Sequence, residues 1–156
     1  MKIEVAYPPN FDAVCETFPL AAQPGVIFAY GDTIYNPSGA GIPTPIREHE
    51  EEHGKRQRAC GVEEWWERYL ADRVFRYEEE LLGHAAELAS LLARTGGDRN
   101  QIARLETRTA HRLLAPLYDY DRLAPTFLEA LRGLRDAVEA QRVARMVLPS
   151  HHEVPL

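Results

Sequence analysis

Residues 43–59, PTPIREHEEEHGKRQRA, constrain this chain more than any other stretch. A threonine followed by proline opens helices readily, because the hydroxyl caps orphan amides and proline costs nothing in the first turn. Thr44 and Pro45 therefore predict a helix from 44 to about 59. At about 100° per residue, Ile46, His49, Glu50, His53 and Gln57 trace one side of it, and Arg47, Glu48, Glu51, Lys55 and Arg58 occupy the rest. Such a helix has almost no apolar stripe. It is either a solvated connector or is kept inside a fold by something other than hydrophobic packing, and a bound metal is one such thing.

The chemistry of that side is specific. His49 and His53 stand four residues apart, so their imidazoles can converge on one ion. Glu50, three residues before His53, can reach the rim of the same site and accept a proton from water without ligating the metal. This is the HExxH pattern of zinc hydrolases, and it calls for one zinc ion. Glu51 and Glu52 turn away and are expected to be solvated. The competing reading is a surface helix with an acidic run.

The rest of the chain sets the context. KIEVAY alternates and stops at Pro8-Pro9, which suits a short edge strand. Asn10 can cap a short helix carrying Phe11, Val14, Cys15 and Phe18 on one face, ended by Pro19. GVIFAYGDTIYNPSG reads as a hairpin turning at Gly31-Asp32. Beyond the opening helix come GVEEWWERYLAD, with Trp65, Trp66, Tyr69 and Leu70 on an apolar side, and RVFRYEEELLGHAAELASLL, with a stripe at Val74, Leu81, Ala85, Leu88 and Leu92. Two further helices follow, one ending near Pro116 and one opened by Pro125 and closed by Pro149. The fold class is α+β, a small N-terminal sheet or hairpin on a mainly helical body. Residues 1–124 are expected to form the core domain and 125–156 a helical extension of it.

A catalytic zinc takes three protein ligands and keeps a fourth position open, so one more donor is needed. FRYEEELLGHAAEL offers it. Glu78 shares the side of Val74, Leu81 and Ala85, whereas Glu80 shares a side with Tyr77, His84 and Glu87. Glu80 is the preferred third ligand and Glu79 the alternative.

At this point FAYGDTIYNPSG, IREHEEEHGKRQ, WWERYLAD, FRYEEELLGHAAEL and IARLETRTAHRLLAPLYDY, in this order, resemble the minimal gluzincin-type zinc metallopeptidases encoded by bacteriophages and prophages. The resemblance covers about residues 25–120. It implies a zincin-like body with His49, His53 and Glu80 as ligands and Glu50 as general base. It further implies a peptide or protein substrate lying along DTIYNP by strand addition. After the ligand such proteins tend to carry alanine and an aromatic residue, where this chain has Gly83 and His84. His84 could ligate the metal, serve catalysis by donating a hydrogen bond in place of a phenol, or be an ordinary helix histidine. Arg76 and Tyr77 are further candidates for stabilising an oxyanion. The rival to a peptidase is an inactive zincin-like binding module, with or without structural zinc.

Other features narrow the field. The net charge of −6 gives no cationic field for phosphate backbones, so nucleic acid is not an expected partner. Cys15 and Cys60 form no CxxC and read as reduced thiols. No long apolar run marks a membrane span or secretory segment, so a bacterial or phage-infected host cytoplasm is the expected setting. A di-iron bundle would need a second Glu-x-x-His element, and none exists. The Arg104, Arg108, Arg112 row reads as a solvated helix face, and the SHHE tract at 150–153 as a tail.

Overall fold

The computed structural model describes residues 1–120 and 125–147; the 150–153 tract lies outside the described residues. Three short strands, β1 (Lys2–Glu4), β2 (Phe28–Tyr30) and β3 (Thr33–Tyr35), form a sheet in the order β1-β3-β2. β2 and β3 make the hairpin, Phe28 opposite Tyr35 and Tyr30 opposite Thr33. Gly31 takes the turn at φ +60°, a conformation that costs glycine nothing. β1 lies parallel to β3 at the sheet's edge, so the chain must cross over between them. That crossover holds helix α1 (Phe11–Thr17) and a 3-10 turn begun by Pro19. Asn10 does occupy the cap position of α1, but its side chain makes no capping bond.

The helical body is α2 (Thr44–Cys60), α3 (Val62–Ala71), α4 (Arg73–Leu92), α5 (Arg99–Leu113) and α6 (Phe127–Val147). The architecture is thus α+β with a helical body, as the residue pattern implies. Among the described residues no helix is long and apolar enough to cross a membrane.

Local chemistry explains the boundaries. Pro43, not Thr44, stands at the cap position of α2, and no side chain caps it. Thr44 is already helical, so the start is set by the fixed φ of the two flanking prolines rather than by a hydroxyl. Gly61, at φ +98°, breaks α2 from α3. Asp72 caps α4 by accepting from the amides of Val74 and Phe75, and Asp98 caps α5 in the same way through Asn100 and Gln101.

Two apolar clusters flank the site. One packs Val14, Phe18, Phe28, Trp65, Trp66, Tyr69 and Phe75 between the N-terminal segment and α3. The other packs Leu88, Ala110, Leu113, Ala130 and Leu134 where α4, α5 and α6 meet. Val74 belongs to neither and is 54% exposed, contrary to the stripe expected for α4. The cause is that α4 is buried on more than one side: Leu88 faces α5 and α6, while Glu79, Glu80, Gly83, His84 and Glu87 are buried as well.

Candidate metal centre

The buried side of α2 consists of Pro45, His49, Glu50, His53, Gly54 and Gln57. It packs on α4, in its most extensive contact with any element. Across that contact His49 Nε2 and His53 Nε2 lie 3.0 Å apart. Glu80 brings Oε2 to 3.5 Å from the first and Oε1 to 3.4 Å from the second. Zinc binds nitrogen and oxygen at about 2.0–2.1 Å, so neighbouring ligands of a tetrahedral ion sit about 3.3 Å apart. The three separations bracket that edge. All three residues are buried, and Glu80 Oε2 has no hydrogen-bond partner. Buried carboxylate oxygens seldom go unpaired, and an ion is one way to satisfy this one. The group could therefore hold a metal ion.

Glu79, the alternative ligand, turns elsewhere: both its oxygens take Arg56, at 2.5 and 2.6 Å. Glu80 Oε1 instead accepts the Tyr69 hydroxyl at 2.5 Å, which fixes the carboxylate from behind. Gly83 explains how α4 comes so close. A Cβ there would lie 2.8 Å from His49 Nε2 and 2.9 Å from His53 Nε2, tighter than ordinary contact. Gly83 thus stands directly over the two imidazoles.

The electrostatics follow from burial and mutual contact. Burial first, then the neighbouring His84, lowers His49 to about 4. Burial opposes charge on His53 as well, but the Glu80 carboxylate outweighs it and raises His53 to about 9. Burial alone would raise Glu80; His53 and His49 hold it well below the usual carboxylate range. Burial pushes Glu50 up to about 8, against the pull of His53. Glu80 thus favours its anionic form and, with it, positive charge beside it.

His84 is fully buried behind this group. Its Nδ1 lies 3.1 Å from Glu87 Oε2, its Nε2 3.1 Å from the Tyr118 hydroxyl, and Glu87 Oε1 pairs with Arg112. His49, His84 and Glu87 form a second group of converging donors, sharing His49 with the first. Since Glu87 is already committed to Arg112 and His84, we read this group as the layer that orients the first.

A small cavity of about 90 Å³ adjoins the donors, walled by Val14, Phe18, Phe28, Trp65, Trp66 and Tyr69 together with His49, Glu50, His53 and Glu80. Trp65, Trp66 and Tyr69 are thus core residues and cavity wall at once. A larger cleft of about 350 Å³ shares His49, Glu50, Leu117 and Tyr118 with it and extends past Asn36, Ser38, Pro43 and Arg112. Arg76, Tyr77 and His84 line neither. Arg76 spends its guanidinium on the carbonyls of Tyr69, Leu70, Tyr118 and Asp119. Tyr77 packs on Tyr120. Tyr118 is the phenol that faces both cavities, and sequence reasoning missed it because it sits on a short 3-10 turn after Pro116 with no periodicity to orient it.

One expectation is overturned. β3 is the middle strand, paired with β1 on one side and β2 on the other, so DTIYNP has no free edge for a substrate. Gly25, Val26 and Ile27, which lead into the edge strand β2, line the cleft together with Asn36 and Ser38. No family model matches the chain, and no curated protein or solved structure matches it either.

Proposed function

We propose that this chain is a zinc-dependent peptidase in which His49, His53 and Glu80 hold the ion and Glu50 is the general base. The observation that carries the reading is the convergence of three buried donors at 3.0–3.5 Å, with a second buried carboxylate, Glu50, on the same cavity wall. Zinc in that position supplies Lewis acidity toward a carbonyl and acidifies water.

The chain's own residues do the rest. Glu50, on the cavity wall beside the two imidazoles, takes the proton of the attacking water and passes it to the leaving amine. The phenol of Tyr118 lies 3.1 Å from His84 Nε2, and its one hydrogen turns from that nitrogen to the carbonyl oxygen as charge builds there. Tyr69 holds Glu80 in its ligating orientation. Main chain at 25–27 supports an extended peptide in the cleft.

The test has two parts. Elemental analysis of the purified protein should show one zinc per chain, and Glu50→Gln should retain it while losing cleavage of a peptide library. Absence of stoichiometric zinc would sink the ligand set and the peptidase together. Zinc with unchanged cleavage in Glu50→Gln would remove the general base, and zinc without any cleavage by the parent protein would leave a zincin-like binding module.

A further inference from the structure

We propose that the cleft selects peptides bearing carboxylates at alternate positions on the side of the scissile bond nearest α5, gripped by Arg112, Arg108 and Arg104. This deepens the peptidase reading and rests on it. Arg112 is the joint of the argument. It lines the cleft with His49, Glu50 and Tyr118, and it also lines an open groove along α5 with Arg104, Thr107, Arg108 and His111. Its side chain is 38% exposed, and it is held by one Nη1 contact to Glu87, whose other oxygen is fixed by His84. A guanidinium has five donors, so most remain for a ligand.

Arg104 and Arg108 are exposed and have no ion-pair partner among the described residues. On α5 their neighbours three and four positions away are Asn100, Gln101, Leu105, Thr107, His111, Arg112 and each other, with no acid among them. Like charges spaced i, i+4 destabilise a helix, so the row is a cost to α5 unless something anionic neutralises it. Among the described residues, Glu50 is the only acid in the linings of the cleft and the groove. The acidic Glu48, Glu51 and Glu52 lie against Met1 and Lys55, in a separate hollow. In a chain of net charge −6 this is a local reversal of sign that continues directly from the site.

The spacing selects the ligand. Arginines four apart repeat about every 6 Å along a helix, and alternate side chains of an extended strand repeat about every 6.6–6.8 Å. An extended peptide leaving the cleft along α5 therefore presents every second side chain to the next arginine. Arginine meets a carboxylate with paired hydrogen bonds, which favours aspartate or glutamate there.

Binding can be read without turnover, using zinc-loaded Glu50→Gln protein and fluorescein-labelled octapeptides with Glu-x-Glu in either half, each against its Gln-x-Gln analogue. One Glu peptide should bind about fivefold tighter than its analogue at low salt, the scale of exposed ion pairs, and lose that advantage at 0.5 M salt. Arg104→Gln/Arg108→Gln should bring the ratio toward one, while Lys55→Gln/Arg132→Gln, which removes the same charge elsewhere, should keep it. Equal affinity for Glu and Gln peptides, survival of the preference in the arginine variant, or equal competition by a short oligothymidylate would overturn the proposal. Failure to cleave any peptide by the parent protein would strike the peptidase reading instead, and leaves this comparison standing.

Discussion

Glu79 and Glu80 are adjacent and both buried, yet their loss should have opposite consequences. Glu79→Ala removes a two-pronged pair with Arg56, whose side chain is 38% exposed. Breaking a fully buried ion pair costs about 3–5 kcal/mol. Because Arg56 can turn to water, the cost here should be about 1–2 kcal/mol, or about 2–8 °C in Tm for a chain of this size. Zinc affinity should hardly change. Glu80→Ala deletes a donor that lies within 3.5 Å of both imidazoles, and affinity should fall by more than the about 10–100-fold that loss of an outer-layer partner costs. The assay is thermal unfolding with and without zinc, beside elemental analysis. Free zinc at about 100 times Kd stabilises a folded protein by about 2.7 kcal/mol, here about 5–10 °C. The parent protein and Glu79→Ala should show that rise and Glu80→Ala should not. A zinc-dependent rise in Glu80→Ala, or its loss in Glu79→Ala, would refute the assignment; retention in both would point to His84.

Three further outcomes follow from the same geometry. Gly54→Ala should lower stability by about 1–2 kcal/mol in urea, although helix propensity alone gives about 1 kcal/mol in its favour; a Cβ there meets the Gly31 carbonyl at 2.8 Å, and a gain in midpoint would show that the backbone can yield. Gln57→Leu strands the Gly31 amide and the Ala29 carbonyl, which Gln57 serves at 2.7 and 3.0 Å, so unfolding should shift by about 2–4 kcal/mol, and an unshifted midpoint would mean that water replaces it. Tyr118→Phe should reduce kcat about 100-fold with KM and zinc content unchanged, whereas full activity would remove the phenol from the chemistry.

Helical periodicity explains most of what was legible beforehand. A spacing of four from His49 to His53 is enough to put both imidazoles on one face, and the same arithmetic separates Glu80 from Glu78 on α4. Gly31-Asp32 marked the hairpin because few residues accept its turn. Non-local relations were not legible. KIEVAY is the edge strand its pattern implies, but that it pairs with β3, occupying the second edge of the strand expected to receive substrate, was not legible. Glu79 is claimed by Arg56 from another helix. Arg112 looked like part of a solvated row, and nothing in its neighbours along α5 shows that α4 places Glu87 against it or that the cleft ends there. Tyr118 follows a helix end, where side-chain direction depends on packing alone.

The polar character of α2 now has a physical account. No large apolar side chain is buried from it, and it still forms the most extensive helix contact in the chain. What docks it is specific: Gly54 lets the helix approach the β2–β3 turn, Gln57 bonds the Gly31 amide of that turn and the Ala29 carbonyl of β2, and Arg56 pairs with Glu79. His49 and His53 then face Glu80, a buried carboxylate that favours its charged form. Buried charge is costly unless paired, and a divalent ion would meet all three donors at once. Zinc affinity at such a site is also folding energy for the helix that carries it. The residues assigned to chemistry are therefore the same residues that decide whether α2 stays docked, and a ligand variant must be judged by its metal-free stability before its activity is interpreted.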